Sequence, residues 1–258
     1  MASPAVTLPD GLYDLLLTEH QRANLDVGRA DLTAFGGEQL ELLLDALSRQ
    51  VSGALADAHG DESDAAMRQV DIVNALLVLL RQRFQAVRPE AADAVDLIAM
   101  PPQVLRSIGR GRQFSIAPEL GLAVPWLFTA GKGSPSLLQE IRKELASADR
   151  VDILVSFITV SGVRKLQDVL QQITARGGDG RTASRLRILT TTYTGATEAR
   201  ALDELARLPG CEVRVSLDGR RTRLHAKAWL FHRRSGFGSA YVGSANLSGA
   251  ALTGGLEW

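Results

Sequence analysis

Between Val151 and Phe157 the chain reads V-D-I-L-V-S-F, an apolar run interrupted only by Asp152 and Ser156. A run of this length and composition predicts a buried strand rather than a half-exposed one. The segments downstream of this run restrict the fold. A helical stripe of Val163, Leu166, Val169, Leu170 and Ile173 spans 161–175, and a polar stretch fills 177–184. A second strand is expected over Leu186–Thr191, a helix over Thr197–Leu208 and a third strand over Glu212–Ser216. Upstream, Ser134 stands where it would cap a helix with Pro135 as its first residue and Leu137, Leu138, Ile141 and Leu145 as its stripe. Strands separated by helices pair in parallel, because the crossover is long enough to return to the same sheet edge. The fold class is therefore α/β.

A further strand is expected over Leu224–Phe231, followed by a hairpin to Tyr241, which makes the sheet mixed. Strict alternation assigns Leu224, Ala226, Ala228 and Leu230 to the core-facing side of that strand. His225 and Lys227 then share the other side, about 7 Å apart along the strand. An imidazole and an ammonium so close together suit an anionic group bound between them. After Tyr241 and Val242 the chain turns through Gly243 and presents Ser244 and Asn246 at what reads as a helix start, where backbone N–H groups favour phosphate or sulfate.

The pair H-x-K (His225, Lys227) and G-S-x-N (Gly243, Ser244, Asn246) resembles the signature of the phospholipase D superfamily. The longer strings R-L-H-A-K-A-W-L-F-H-R, A-Y-V-G-S-x-N-L-S and G-L-E-W look like the phospholipase D-like domain attached to bacterial DEAD/DEAH-box helicases. The resemblance implies an α/β/α sandwich with a mixed sheet, here preceded by an N-terminal α-helical region. It also implies metal-independent phosphodiester cleavage through a covalent phosphohistidine. On that reading His225 is the nucleophile, since a neutral imidazole keeps one ring nitrogen free to attack. Lys227, Ser244 and Asn246 would hold the nonbridging oxygens and stabilise the growing charge, and Glu257 would orient His225. The superfamily's fuller motif, H-x-K-x-x-x-x-D, has His232 in the acidic position here, a departure that the helicase-attached subgroup tolerates. Parity sets His232 on the opposite strand face from His225, so it is not expected to replace the acid directly.

The formal net charge of zero conceals an asymmetry. Residues 1–100 hold 7 Lys/Arg against 16 Asp/Glu, whereas residues 101–258 hold 22 against 13. The H-x-K motif lies in the basic part, bracketed by Arg220, Arg221, Arg223, Arg233 and Arg234, a cluster suited to backbone phosphates without sequence readout. The partner expected is nucleic acid, DNA ahead of RNA. The 258 residues suffice for one large domain or two small ones.

Three regions are expected. Residues 1–88 read as α-helical: Leu40, Leu43, Leu44, Leu47 and Val51 form one apolar stripe, and Val70, Val73, Leu76, Leu77, Leu80 and Phe84 another, as in an interaction or cap domain. Residues 89–133 hold Pro89, Pro101, Pro102, Pro118 and Pro125 and read as an irregular connection. Residues 134–258 carry the phospholipase D-like pattern, which stops in what should be the next strand, as a piece of a longer protein would. The stretch 128–134 ends in G-K-G-S but lacks the spacing of a P-loop, so no ATPase motor is visible.

No cofactor and no metal are expected, because four histidines and the single Cys211 show no ligand spacing. The lone cysteine suits a reducing compartment, and neither a signal peptide nor a membrane span is evident, so a cytoplasmic location is expected. A leaving oxygen needs a general acid, which the superfamily takes from a second motif's histidine. This chain has one motif, so a symmetric homodimer is expected. A helicase domain is expected in the full-length protein or the same operon. The competing functional class is a degenerate module that binds nucleic acid or partners for a helicase.

Overall fold

The structure, a computed structural model, describes residues 13–36, 39–58, 62–108, 117–127, 135–175, 184–219 and 223–253. The chain divides into two compact units, Met1–Arg106 and Ser107–Trp258.

The first unit is helical: α1 (Glu19–Ala23), a 3₁₀ turn (Val27–Arg29), α2 (Leu40–Asp57), α3 (Glu62–Val87) and α4 (Pro89–Ala92). Thr18 starts α1 with a reciprocal cap, its hydroxyl accepting from the Gln21 amide while the Gln21 side chain accepts from the Thr18 amide. The chain after α4 turns back along α3. There Asn74 pairs twice with the backbone of Ile98, and Arg81 donates to the Val95 carbonyl. The leucines at 40, 43, 44 and 47 lie on one side of α2 as their spacing requires, yet remain about half exposed. His20 is exposed on α1, and His59 lies outside the described residues.

The second unit is mixed α/β. Its elements are α5 (Leu137–Ser147), β1 (Arg150–Leu154), α6 (Val160–Ala175), β2 (Leu186–Thr191), α7 (Ala199–Ala206), β3 (Cys211–Ser216), β4 (Ala228–His232), β5 (Ser239–Val242) and α8 (Gly249–Thr253). The sheet order is β3-β2-β1-β4-β5. β1, β2 and β3 are parallel, and β4 and β5 form an antiparallel hairpin against β1. Alternation places Val151, Ile153, Leu186, Ile188, Trp229 and Phe231 on one face, where they meet Ile141, Leu145, Leu166, Leu170, Ile173, Leu205 and Leu252 from the helices. The other face carries Arg187, Leu189, Leu230 and Val242, all exposed, and no described helix covers it. Among the described residues no helix is long and apolar enough to cross a membrane.

Four expectations need correction. α5 begins at Leu137 with Ser136 in the extended N-cap position, whereas Ser134 lies outside the described residues. β1 ends at Leu154: Val155 still donates to the Leu189 carbonyl, and from Ser156 the chain leaves the sheet to meet the loop after β5. β4 begins at Ala228, since its partner β1 ends opposite, at Leu154, so His225 and Lys227 precede the strand. Its parity is also reversed: Trp229 and Phe231 face the helices at 2% and 1% exposure, and Leu230 is 37% exposed. The larger aromatic pair fills the interior, Phe231 meeting Tyr241 edge-to-face at 5.7 Å.

A buried ion pair joins α5 to the hairpin. Glu144, wholly buried, accepts from Arg233 at 2.5 Å, Ser239 at 3.0 Å and Tyr241 at 3.2 Å. Arg233 also donates to Ser147 and to the Phe237 carbonyl. Burial, with Glu144 and Glu140 nearby, pushes the Tyr241 hydroxyl well above its ordinary range, so it stays a donor. Burial likewise pushes the Cys211 thiol up to about 12, which keeps it protonated and unreactive. Truncating one partner of such a pair strands the other's charge. Glu144→Ala is expected to lower unfolding stability by about 3–5 kcal/mol in urea titrations. A Glu144→Leu/Arg233→Met double variant should recover most of that loss.

Candidate functional site

His225, Lys227, Ser244 and Asn246 gather at one edge of the sheet, whereas His232, Arg233 and Arg234 lie at the other. The carboxyl ends of β1, β2 and β3 point to the same edge as the start of β4 and the end of β5, by the parallel and antiparallel pairings above. In open α/β sheets this is the edge at which ligands bind.

His225 is exposed and Lys227 half-buried on the segment leading into β4. Lys227 folds back over its neighbour: Nζ lies 3.0 Å from His225 Nδ1 and 3.2 Å from Nε2, and donates to the His225 carbonyl at 3.1 Å. An ammonium has donors only, so the imidazole nitrogen that bonds to it accepts. The two side chains thus touch rather than standing apart along a strand. The backbone carbonyl of Lys227 accepts from the Gly243 amide at 3.3 Å, which brings the G-S-x-N loop beside it.

Asn246 is 7% exposed, and its Oδ1 accepts from the Ser156 amide at 3.0 Å and the Phe157 amide at 3.2 Å. The carbonyl half of its amide is therefore a clamp on the loop after β1, which leaves the Nδ2 hydrogens for another acceptor. The next residue extends the tie: Leu247 bridges Ile158 in parallel and its carbonyl accepts from Thr159. Ser244 sits half-buried in the turn. The helix expected at Ser244 begins at Gly249 instead, with Ser248 Oγ accepting from the Ala251 amide. The intervening residues are occupied in the cross-over to β1, so the G-S-x-N group lies in a loop.

Further polar groups at this edge were not signalled by the motif. Thr159 Oγ1 accepts from Gly162 and Ser161 Oγ from Gly249, while Glu198 accepts from the Val160 amide at 2.8 Å. Thr191 shapes the end of β2, donating to the Ser216 carbonyl and accepting from the Tyr193 amide. Thr190 and Thr191 are fully buried, so neither lines an open cleft. The hydroxyls of Ser156 and Thr190 are buried with no hydrogen-bond partner among the described residues.

The basic bracket is reduced. Arg223 is exposed, and Arg234 is 83% exposed with a 3.4 Å contact to Asp149. Arg233 is turned inward to Glu144, so it belongs to the interior and not to a surface for polyanions. Arg220, Arg221 and Glu257 lie outside the described residues. Among the described residues no group of three His, Cys, Asp or Glu side chains could hold a metal ion.

His232 ends β4, about 13 Å from Ala228 by strand rise. Its Nε2 lies 2.9 Å from Asp152 Oδ2, and Arg187 grips the same carboxylate at 2.6 and 2.7 Å. The histidine in the motif's acidic position is thus paired with an acid from β1, remote from His225. The Arg187 guanidinium, with Arg150 and His232, holds the Asp152 carboxyl below its usual range. A depressed pKa contributes stability that is present above about pH 4 and lost as pH falls through the folded-state value. Urea midpoints measured between about pH 5 and pH 2 should decline less steeply in Asp152→Asn than in the wild type.

Gly162 lets the clamp close. A Cβ there would meet the Leu247 carbonyl oxygen at 2.4 Å and its carbon at 2.6 Å, both backbone atoms. Gly162→Ala should push the loop off α6, lowering stability by about 1–3 kcal/mol. Amide exchange should quicken at Ser156 and Phe157 well before it does in β2. No protein-family model matches the chain, and no curated protein matches its sequence.

Proposed function

We propose that the Ser107–Trp258 unit is a phospholipase D-like domain that cleaves phosphodiester bonds in nucleic acid, DNA ahead of RNA, without a metal. The observation that carries this reading is the contact of Lys227 Nζ with the His225 ring at the carboxyl edge of the sheet, beside the G-S-x-N loop. In this reaction a His225 ring nitrogen bonds to phosphorus as one P–O bond breaks and the departing oxygen takes a proton. Water then cleaves the P–N bond, releasing the phosphate and restoring the imidazole. Lys227 and the Asn246 Nδ2 group balance the charge that accumulates on the nonbridging oxygens. Arg223 holds a flanking phosphate. The α/β/α sandwich, a homodimer that supplies a second His225 as the acid, and a helicase partner all belong to this proposal.

A degenerate binding module is the second reading. The engagement of Asn246 Oδ1 with backbone amides and the withdrawal of Arg233 into the interior favour it. Labelled single- and double-stranded substrates in EDTA separate the two. On the first reading the wild type cleaves, His225→Ala loses turnover by several orders of magnitude and still binds, and Lys227→Ala weakens both. Binding weakens steeply with salt in either case. Equal cleavage by wild type and His225→Ala would sink the nuclease assignment. Salt-sensitive binding without cleavage by the full-length protein would establish the module.

A further inference from the structure

A cleft of about 570 Å³ opens against Lys227 in the second unit. Small-molecule sites occupy about 300–1,000 Å³, so the volume suffices for a planar ring with its sugar. Its walls are chiefly apolar and aromatic, with Val124, Trp126, Leu127, Trp229 and Tyr241 among the lining residues. Among the described lining residues Lys227 is the one cation and Glu144 the one anion. The Glu144 carboxylate already serves Arg233, Ser239 and Tyr241. The cleft therefore offers hydrophobic and π surface directly beside a phosphate-binding ammonium.

Trp126 is 62% exposed and Leu127 78%, although tryptophan is normally largely buried. The segment that carries them is anchored. The buried carboxylate of Glu140 accepts from the amides of Glu119 at 3.2 Å and Leu120 at 3.4 Å, and Lys143 bridges Glu119 and Glu140. The strap that leads to the indole is thus fixed to α5 at Glu119 and Leu120.

We propose that this cleft receives an unpaired nucleobase next to the phosphate held at His225 and Lys227, stacked on Trp126. The site would then take single-stranded or frayed nucleic acid ahead of duplex. The inference rests on the phosphate-handling reading of His225 and Lys227. An acyl chain would also suit an apolar cleft. A lipid brings one phosphate, however, whereas exposed Arg223 and the excess of Lys/Arg over residues 101–258 suit a polyanion with several. Stacking on an aromatic ring tolerates any base, because every base has a π face.

The test is fluorescence anisotropy of the full chain with a single-stranded oligonucleotide, its abasic counterpart of equal charge, and a duplex. Wild type should prefer the base-bearing single strand to both others. Trp126→Ala should weaken that binding about tenfold or more, leave abasic binding unchanged, and so erase the preference. Trp126→Phe should keep most of it. Exposure of the indole makes these variants safe for folding. Equal affinity of wild type for base-bearing and abasic strands, or a preference that survives in Trp126→Ala, would overturn the proposal. So would Trp126-dependent binding of phosphatidylglycerol vesicles without oligonucleotide binding. Cleavage that persists in His225→Ala would defeat the nuclease reading alone, and Trp126-dependent binding would still support the base cleft.

Discussion

The candidate site depends on one side-chain carbonyl. β1 and β5 are not neighbours in the sheet, since β4 lies between them. Val155 still donates to the Leu189 carbonyl of β2, and from Ser156 the chain leaves the sheet, with the Ser156 and Phe157 amides turned to the loop after β5. A buried N–H without an acceptor is costly, and Asn246 Oδ1 supplies the acceptor for both. The loop after β5 is thereby fastened across the start of β4, and Leu247 continues the contact with Ile158 and Thr159. Gly162 permits the close approach. Everything that Gly243 and Ser244 can do near Lys227 follows from this fastening.

The opposite end of the hairpin is fixed by a different device. Glu144 gathers Arg233, Ser239 and Tyr241, so β4 and β5 are tied to α5 where the strands turn. A buried pair of this kind contributes less to net stability than its short contacts suggest, because both charges lose water. Its effect is on register: Arg233 can reach Glu144 only if Trp229 and Phe231 face the helices. The two ties, one polar clamp at the carboxyl edge and one ion pair at the turn, leave β4 little freedom to slip. Each end keeps two buried polar atoms without a partner among the described residues, the Ser156 and Thr190 hydroxyls at the clamped edge and the Arg150 and Arg233 Nε groups at the other.

The sequence pattern revealed the alternation of β1, α6, β2, α7 and β3 well, because each element carries a period or an apolar run of its own. β2 occupies Leu186–Thr191 as its pattern indicates, and α6 starts within one residue of expectation. β4 was less legible. In L-H-A-K-A-W-L-F both parities contain apolar residues, and alternation alone cannot say which set meets the helices. Its first residue is decided by where β1 stops, a fact absent from the local sequence. The same holds for the site. Arg233 reads as part of a basic cluster until its partner, 89 residues earlier, is known. The whole Asn246 amide reads as a ligand until Ser156, 90 residues earlier, is seen to donate to its carbonyl half. Local pattern identifies elements, whereas the role of a polar side chain is set by contacts remote in sequence.

The site therefore combines fixed and adaptable parts. Asn246 is clamped, the Lys227 ammonium is tethered to the carbonyl of its own neighbour His225, and the strap bearing Trp126 is pinned by Glu140. Transition-state stabilisation by charge works best when donors need not reorganise, and the Asn246 amide meets that requirement. Lys227 does so less fully, because its contacts with the His225 ring must loosen before either group can face a phosphate. An anion entering between them replaces a hydrogen bond from the ammonium to a neutral ring with one between opposite charges, which is the stronger of the two. In the proposed reaction the lysine thus leaves the imidazole as the phosphate arrives, and the ring nitrogen it occupied becomes available for attack. On that proposal the contact that engages the His225 ring is exchanged for one that neutralises the phosphate.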